Sequence, residues 1–218
     1  MTRVALNGLG RIGKLVLRSL LENPGDCDLV FINDPAGTPE QHALLLEFDS
    51  VHGRWAADFA HDDDSIAING KRILLTQERT LEALPLSQSN IDLVLDCTGV
   101  FKTGKKVEPY FAAGVERVLV SAPVKDGVAL NLVYGVNHHL YDADAHRLVT
   151  AASCTTNCLA PVVKVLHEEI GIRHGSITTI HDVTNTQTIV DRPAQDPRRA
   201  RSALTNLLPT TTGSATAL

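Results

Sequence analysis

The sequence predicts an α/β protein, in which a parallel sheet is assembled from strand–helix–strand units. Three observations support this fold class. Residues 3–32 have the pattern of a strand, an amphipathic helix and a second strand. Two later apolar runs each end in small polar residues, and a run at residues 148–152 leads directly into another helical pattern. With 218 residues, 44% of them hydrophobic and 21% charged, the chain can hold one large domain, or one domain and part of a second.

The composition argues against several classes of function. The net charge is −5 and there is no long basic run, so nucleic acid or an anionic membrane surface is a poor candidate partner. The N-terminal residues run directly into a predicted strand, and no apolar stretch approaches the roughly 18 residues that a spanning helix needs. The four cysteines match neither a disulfide framework nor a metal-ligand pattern. We therefore expect a reduced, cytoplasmic protein without a metal site.

The first strand–helix–strand unit carries a G-x-G-x-x-G pattern, formed by Gly8, Gly10 and Gly13, between its first strand and its helix. The first strand is expected at residues 3–6 and the second at residues 29–32. The apolar positions of the helix predict one buried face, which consists of Ile12, Leu15, Val16 and Leu20.

The glycines and an acidic residue at the second strand end indicate dinucleotide binding. Gly8 permits a tight turn, Gly10 lets the backbone approach a pyrophosphate, and Gly13 allows close packing of the helix on the strand. Asp34 follows Gly13 by about 20 residues, where such folds carry an acid that binds the adenosine ribose. Its carboxylate would repel a 2′-phosphate, which favours NAD over NADP. The alternative is that Asp34 is a turn residue that only caps the strand end.

Two short patterns follow this unit. Residues 38–46 combine a capping box with a proline at the first helical position, which predicts a helix. Residues 65–76 contain Asn69-Gly70 between two alternating apolar runs, which predicts a β-hairpin.

Two further core strands are expected at residues 91–97 and 117–120. Thr98 and Gly99 follow the first of them, and Ser121 follows the second. Because ligands lie outside the carboxyl ends of strands in open parallel sheets, we expect these residues to line the cofactor cleft. The alternative is that they serve only as turn residues.

Cys154 is the candidate nucleophile. It follows the predicted strand at residues 148–152, and Ser153 is a suitable N-cap for a helix that begins at this point. A thiol in the first helical turn experiences the positive end of the helix dipole, which lowers its pKa and favours the reactive thiolate. The alternative is that Cys154 is a small buried hydrophobic residue, as most free cysteines are.

A base and an anion site are expected after this helix. Residues 176–180 predict a strand that delivers His181, and histidine is the usual base for a cysteine at neutral pH. The arginine-rich stretch at residues 192–201 and the hydroxyl-rich loop at residues 209–214 suit a phosphate group. Each feature alone is also compatible with a structural or solvated role. Together with Cys154 they indicate an aldehyde substrate that carries phosphate.

These residues closely resemble the phosphorylating glyceraldehyde-3-phosphate dehydrogenases. The resemblance covers essentially the whole chain, and its most specific motif is Ser-Cys-Thr-Thr-Asn-Cys at residues 153–158. The other matching stretches are residues 7–13, 32–35, 121–123 and 209–213.

The resemblance implies a role for each matching residue. Cys154 is the nucleophile that forms a hemithioacetal and then a thioester, and His181 is the base. Thr184 holds the phosphate of glyceraldehyde 3-phosphate, and Cys158 is structural. The positions that bind the attacking inorganic phosphate are Ser153, Thr155, Thr212 and Gly213. The positions that contact NAD are Arg11, Ile12, Asp34, Arg79, Thr98 and Ser121.

The resemblance also implies the domain organisation. Residues 1–152 form a Rossmann-type NAD-binding domain, and residues 153–218 form the first part of an α+β catalytic domain whose remainder is absent. Family members are homotetramers that act in glycolysis and glucose metabolism. Three alternatives stay open: an arsenate-using variant for arsenic detoxification, favoured by Asp182 after the histidine, an erythrose-4-phosphate dehydrogenase, and an inactive NAD-binding fragment.

Overall fold

A computed structural model describes residues 1–124 and 126–213 of the chain. The chain forms two compact units, residues 1–153 and residues 154–218. None of the helices in the described residues combines the length and the apolarity needed to cross a bilayer.

The first unit is an α/β unit built around one large sheet, which confirms the predicted fold class. Its helices are α1 (Arg11–Glu22), α2 (Pro39–Glu47) and α3 (Gly104–Ala112). Its strands are β1 (Thr2–Asn7), β2 (Cys27–Asn33), β3 (Phe48–Asp49), β4 (Gly53–Arg54), β5 (Phe59–His61), β6 (Ser65–Ile68), β7 (Lys71–Thr76), β8 (Leu93–Asp96), β9 (Arg117–Val120), β10 (Leu130–Asn131) and β11 (Leu148–Thr150).

The strand order in the large sheet is β10-β11-β9-β8-β1-β2-β7-β6-β5, so β1 lies near its centre. The pairs from β10 to β7 are parallel, and β6 and β5 add an antiparallel edge. Because the central strands are parallel, their carboxyl ends meet at one edge, where ligands bind in such sheets. β3 and β4 form a separate antiparallel pair.

The hydrophobic core covers both faces of the sheet. Val4 and Leu6 of β1 lie in one cluster of buried side chains, and Ala5 between them lies in the other. This alternation follows from the twofold period of a strand, and it explains why β1 is a continuous apolar run.

The predicted buried face of α1 is partly wrong. Val16 and Leu20 pack against the core, but Ile12 is 49% exposed and Leu17 is fully buried. The buried residues of α1 form a stripe through Gly13, Leu17 and Leu20. Successive residues of an α-helix are rotated by about 100° around its axis, so Ile12 lies to the side of this stripe.

The predicted helix at residues 38–46 and the predicted hairpin at residues 65–76 are confirmed. Thr38 Oγ1 accepts a hydrogen bond from the Gln41 backbone N–H at 3.3 Å, and Gln41 Oε1 accepts one from the Thr38 backbone N–H at 3.0 Å. The turn between β6 and β7 has positive φ angles of 50° at Asn69 and 79° at Gly70, as a tight hairpin requires.

The second unit begins with α4 (Cys154–Glu169), which starts at the candidate nucleophile as the sequence predicts. The predicted strand at residues 176–180 is wrong, since these residues form neither a strand nor a helix. A strand is held by hydrogen bonds to a neighbouring strand, and the described residues provide no partner for this segment. The local apolar alternation was therefore insufficient to define a strand.

Candidate functional site

A cleft lies at the carboxyl ends of the central strands of the first unit. Of the predicted cofactor residues, Gly8, Asp34, Arg79 and Thr98 line it. Sequence reasoning missed other lining residues, among them Asn33, Pro35, Glu78, Val100 and Phe101. Most of these lie next to a predicted residue along the chain, so a search of each strand end and its neighbours would have found them.

The glycines of the first turn leave no room for side chains at two positions. A Cβ atom at Gly13 would lie 1.8 Å from the carbonyl oxygen of Gly8, and one at Gly8, whose φ is 95°, would lie 2.7 Å from the backbone of Cys97. At Gly10 no atom lies within 4 Å of such a Cβ, and the residue caps α1 without a side-chain hydrogen bond. The start of α1 is thus accessible to an anion such as a pyrophosphate.

Asp34 fixes the loop around this helix start. Its Oδ2 accepts a hydrogen bond from the Leu9 backbone N–H at 2.7 Å, and its Oδ1 accepts one from the Ala36 backbone N–H at 2.9 Å. A carboxylate has about four acceptor positions, so each oxygen retains capacity for a ribose hydroxyl. The structural role and the predicted binding role of Asp34 are therefore compatible.

The other predicted cofactor residues do not line this cleft. Arg11 forms an ion pair with Asp49, whose pKa is held well below its usual range by the backbone N–H groups of His52 and Val51 and by Arg11. Ser121 donates its backbone N–H to the Asp96 carbonyl at 2.8 Å. The remaining residues outside the lining are Gly10, Ile12, Gly13 and Gly99.

The chain makes a strained turn just before α4. Ala152 has a φ of 54°, a left-handed conformation that is uncommon for residues other than glycine and costs about 1 kcal/mol. Its backbone N–H donates to Thr150 Oγ1 at 3.1 Å, which helps to hold the turn. Strain of this kind concentrates at functional sites.

Cys154 and His181 lie within hydrogen-bond distance in the second unit. Cys154 is the first residue of α4, and its Sγ lies 3.2 Å from His181 Nε2. His181 Nδ1 lies 2.7 Å from the backbone oxygen of Asp182. Because a carbonyl can only accept, Nδ1 carries a proton, and Nε2 is the nitrogen that exchanges a proton with the thiol.

The two side chains shift each other's pKa towards the ion pair. Burial by itself raises the pKa of the Cys154 thiol, but the hydrogen bond and charge of His181, together with hydrogen bonds from Thr155, bring that pKa below its ordinary value. The pKa of His181 is raised, first by its hydrogen bond to Asp182 and then by Cys154. A thiolate beside an imidazolium is the reactive form of a cysteine nucleophile.

Hydroxyl groups surround this pair in a cleft of the second unit. Three predicted phosphate-binding residues, Thr155, Thr184 and Thr212, line the same cleft as Cys154 and His181. Gly213 lies outside this lining, and Ser153 is the last residue of the first unit.

Side chains that sequence reasoning did not select also contribute to this cleft. Gln187 Oε1 accepts the Thr184 hydroxyl at 2.9 Å, and Arg199 Nη1 donates to Thr186 Oγ1 at 3.3 Å. Arg199 belongs to the arginine-rich stretch that the sequence singled out, but its contact with Thr186 was not expected. Hydroxyls beside a guanidinium can bind phosphate oxygens. Within residues 1–124 and 126–213, no group of three or more His, Cys, Asp or Glu side chains could hold a metal ion.

Comparison with known proteins identifies two family models on the chain. Residues 2–104 match the NAD-binding domain of glyceraldehyde 3-phosphate dehydrogenase, and residues 153–218 match its C-terminal domain. The cofactor cleft and the Cys154 site thus fall in the two regions that these models describe.

Individual relatives align over nearly the whole chain. Glyceraldehyde-3-phosphate dehydrogenase 3 of Nostoc sp. is 51% identical over 99% of this chain and 64% of its own length. Glyceraldehyde-3-phosphate dehydrogenase of Kitasatospora aureofaciens is 46% identical over 100% of this chain and 65% of its own length. Glyceraldehyde-3-phosphate dehydrogenase 3 of Saccharomyces cerevisiae is 43% identical over 100% of this chain and 65% of its own length.

The chain therefore spans less than two thirds of the length of these relatives. Two matched domains and 43–51% identity to these three relatives lead to one conclusion: the chain belongs to the glyceraldehyde-3-phosphate dehydrogenase family.

Proposed function

We propose that the chain carries the cofactor site and the nucleophile of an NAD-dependent, phosphorylating glyceraldehyde-3-phosphate dehydrogenase. The observation that carries the proposal is the pairing of Cys154 Sγ with His181 Nε2 at 3.2 Å, at the start of α4. A helix start and a neighbouring imidazolium both favour the thiolate that attack on an aldehyde requires.

The proposed reaction uses both side chains. The Cys154 thiolate attacks the aldehyde carbon of glyceraldehyde 3-phosphate, and the resulting hemithioacetal oxygen takes up the proton held at His181 Nε2. His181 Nε2 removes that proton as a hydride leaves the same carbon, which gives a thioester. NAD, when bound, supplies the acceptor for this hydride. Inorganic phosphate then attacks the thioester carbonyl, an acyl phosphate leaves, and Cys154 returns as the thiolate.

The first unit has features that suit NAD. The open space at Gly10 and the uncapped start of α1 suit the pyrophosphate, and Asp34 suits the adenosine ribose. Arg79 and Thr98 would contact the cofactor from the cleft wall. The other proposed cofactor contacts are Gly8, Arg11, Ile12, Gly13, Gly99 and Ser121.

The phosphate groups would be held by residues between positions 153 and 213. Thr184 binds the phosphate of the substrate, with its hydroxyl released from Gln187 when the phosphate arrives. The attacking phosphate is held by the set Ser153, Thr155, Thr212 and Gly213. We also propose a domain boundary between residues 152 and 153, a homotetrameric assembly and a cytoplasmic location.

The test is NADH formation followed by absorbance after the chain is mixed with NAD and glyceraldehyde 3-phosphate, in parallel with phosphate, arsenate or neither. We expect turnover that requires an acceptor anion and disappears in Cys154→Ser. The matched control is Cys158→Ser, since Cys158 is a second exposed thiol one turn further along α4. Turnover that survives Cys154→Ser would overturn the assigned nucleophile.

Two other outcomes would change the proposal. Faster turnover of erythrose 4-phosphate than of glyceraldehyde 3-phosphate would reassign the substrate. NAD binding without any NADH from either sugar phosphate would leave the chain as a cofactor-binding fragment.

A further inference from the structure

A row of polar side chains crosses four neighbouring strands at the carboxyl edge of the sheet. Asn7 of β1 pairs in register with Asn33 of β2 and with Asp96 of β8, and Asn33 pairs with Thr76 of β7. Residues just before this row in the same strands, such as Leu6, Ile32 and Leu95, are buried and apolar. The change from apolar to polar therefore occurs at one level of the sheet, directly below the cleft.

Hydrogen bonds connect the row from end to end. Thr76 Oγ1 donates to Asn33 Oδ1 at 2.8 Å, and Asn33 Nδ2 donates to Asn7 Oδ1 at 2.8 Å. Asn7 Nδ2 then donates to the Tyr110 hydroxyl at 2.6 Å, and that hydroxyl donates to Asp96 Oδ2 at 2.8 Å. Tyr110 reaches the row from α3 and is 0% exposed, so it is the link that joins β1 to β8 through side chains.

The direction of these hydrogen bonds is fixed by backbone groups at one end. The Glu78 N–H donates to Asn33 Oδ1 at 2.8 Å, and the Glu78 carbonyl accepts from Asn33 Nδ2 at 3.0 Å. This orients the Asn33 amide, which in turn orients Asn7 and the Tyr110 hydroxyl. Every donor along the row therefore points towards Asp96.

The Asp96 carboxylate collects donors from both sides. Besides Tyr110, it accepts the Thr98 backbone N–H at 3.0 Å and the Thr98 hydroxyl at 2.7 Å, both on Oδ1. Buried polar groups destabilise a fold unless they are paired, and removal of one partner leaves the others unsatisfied. Asn7, Asn33, Asp96 and Tyr110 are each at most 4% exposed, so loss of the Tyr110 hydroxyl would leave two partners buried without their hydrogen bond.

Both ends of the row form walls of the cofactor cleft. Glu78 and Arg79 line the cleft beside Asn33, and Thr98 lines it beside Asp96. We propose that Tyr110 is a positioning residue for the dinucleotide. Its hydroxyl connects Asn7 and Asn33 to Asp96, and Asp96 holds Thr98. The Tyr110 hydroxyl thereby fixes the position of Thr98 relative to the cleft wall formed by Glu78 and Arg79. This inference rests on the proposed function, because it assumes that the cleft binds NAD.

Tyr110→Phe tests the proposal, with the equilibrium Kd for NAD and urea unfolding measured on the same samples. The substitution keeps the ring and removes only the hydroxyl. We expect the Kd to rise about tenfold, since the loss of a buried hydrogen bond in a linked set loosens both walls. In the turnover assay, the KM for NAD should rise in the same way while kcat stays unchanged.

Val107→Ala is the matched control, because Val107 lies on α3 in the same core, is 0% exposed and contributes only apolar packing. It should lower stability at least as much as Tyr110→Phe and leave the Kd for NAD within about twofold. Thr76→Val, at the far end of the row, should also raise the Kd for NAD, although this substitution alters no residue of α3.

The outcomes separate this inference from the proposed function. A wild-type Kd in Tyr110→Phe, or an equal loss of NAD affinity in Val107→Ala, would overturn the positioning role and leave NAD binding intact. Failure of the unmodified chain to bind NAD would overturn both.

Discussion

The two units of this chain hold their functional side chains in different ways. In the first unit, apolar side chains such as Leu6 and Ile32 are enclosed on both faces of a large sheet. In the second unit, Thr156 and Ala160 are the only buried residues among those described. Val165 of α4 is 59% exposed, and Ile170, just after the end of this helix, is 80% exposed. The cofactor cleft thus depends on long-range packing, whereas the reactive pair depends on one helix start and a few hydrogen bonds.

Because of this difference, we expect substitutions in the two units to change different measured quantities. Core substitutions in the first unit should change its stability, and those in the polar row should also change NAD binding. Substitutions around Cys154 should change thiol chemistry with little effect on unfolding. Trp55, the single tryptophan of the chain, is 5% exposed in the first unit and reports unfolding of that unit by fluorescence.

The largest effect is expected for Gly13→Ala. The added Cβ would lie 1.8 Å from the Gly8 carbonyl oxygen, so α1 must move away from β1, at a cost of about 4 kcal/mol in the free energy of unfolding. Urea unfolding followed by Trp55 fluorescence measures this cost. Gly10→Ala is the control, because nothing lies within 4 Å of its Cβ, and equal destabilisation by both changes would contradict the steric argument.

Leu6→Ala should destabilise the first unit by about 3 kcal/mol, since Leu6 is 0% exposed and the substitution leaves a cavity in the core. Val165→Ala in the second unit should change the free energy of unfolding by no more than about 0.5 kcal/mol, because that side chain is already 59% exposed. Comparable losses for the two variants in urea unfolding would remove the distinction between the units.

His181→Ala should slow alkylation of Cys154 by iodoacetamide about tenfold at pH 6.5, measured with Cys158→Ser as background. With His181 present, the lowered pKa of Cys154 keeps the thiolate populated as the pH falls towards that pKa. Without the imidazolium the pKa of the thiol returns towards its ordinary value, so the thiolate is lost at a higher pH. The two rates should converge above pH 10, and identical rates at pH 6.5 would refute the ion pair.

A smaller loss than that of Leu6→Ala is expected for Thr38→Ala, which removes the hydroxyl that caps α2. The expected loss is about 1 kcal/mol in the free energy of unfolding. Thr80→Ala is a suitable comparison, because Thr80 occupies the N-cap of a short 3-10 helix without a side-chain cap hydrogen bond. Denaturation midpoints that shift equally for both would show that the cap contributes little.

Local patterns in the sequence predict the elements that depend on local interactions. The glycine spacing, the capping box at Thr38 and the hairpin at Asn69-Gly70 each specify nearby backbone, and the structure has them where the patterns place them. The predicted strand at residues 176–180 is wrong because strand formation needs a partner, which no local pattern supplies.

The site divides in the same way. The pairing of Cys154 with His181 could be inferred from complementary chemistry, and the structure gives its distance of 3.2 Å. The polar row could not be inferred, because Asn7 and Tyr110 are 103 positions apart and their contact exists only once β1, β8 and α3 are assembled. Tyr110 carries no motif that distinguishes it from an ordinary core aromatic residue.

The position of β1 has a consequence for biosynthesis. One edge of β1 pairs with β2, which follows it closely along the chain, and the other edge pairs with β8. On the β8 side, the Arg3 backbone N–H donates a hydrogen bond to the side chain of Asp92, which lies 89 positions later. At a translation rate of about 5–20 residues per second, that edge lacks its partner for roughly 4–18 s on the ribosome. An apolar strand with an unpaired edge is a template for wrong pairing, so the nascent chain is most vulnerable to aggregation between the emergence of β2 and that of β8.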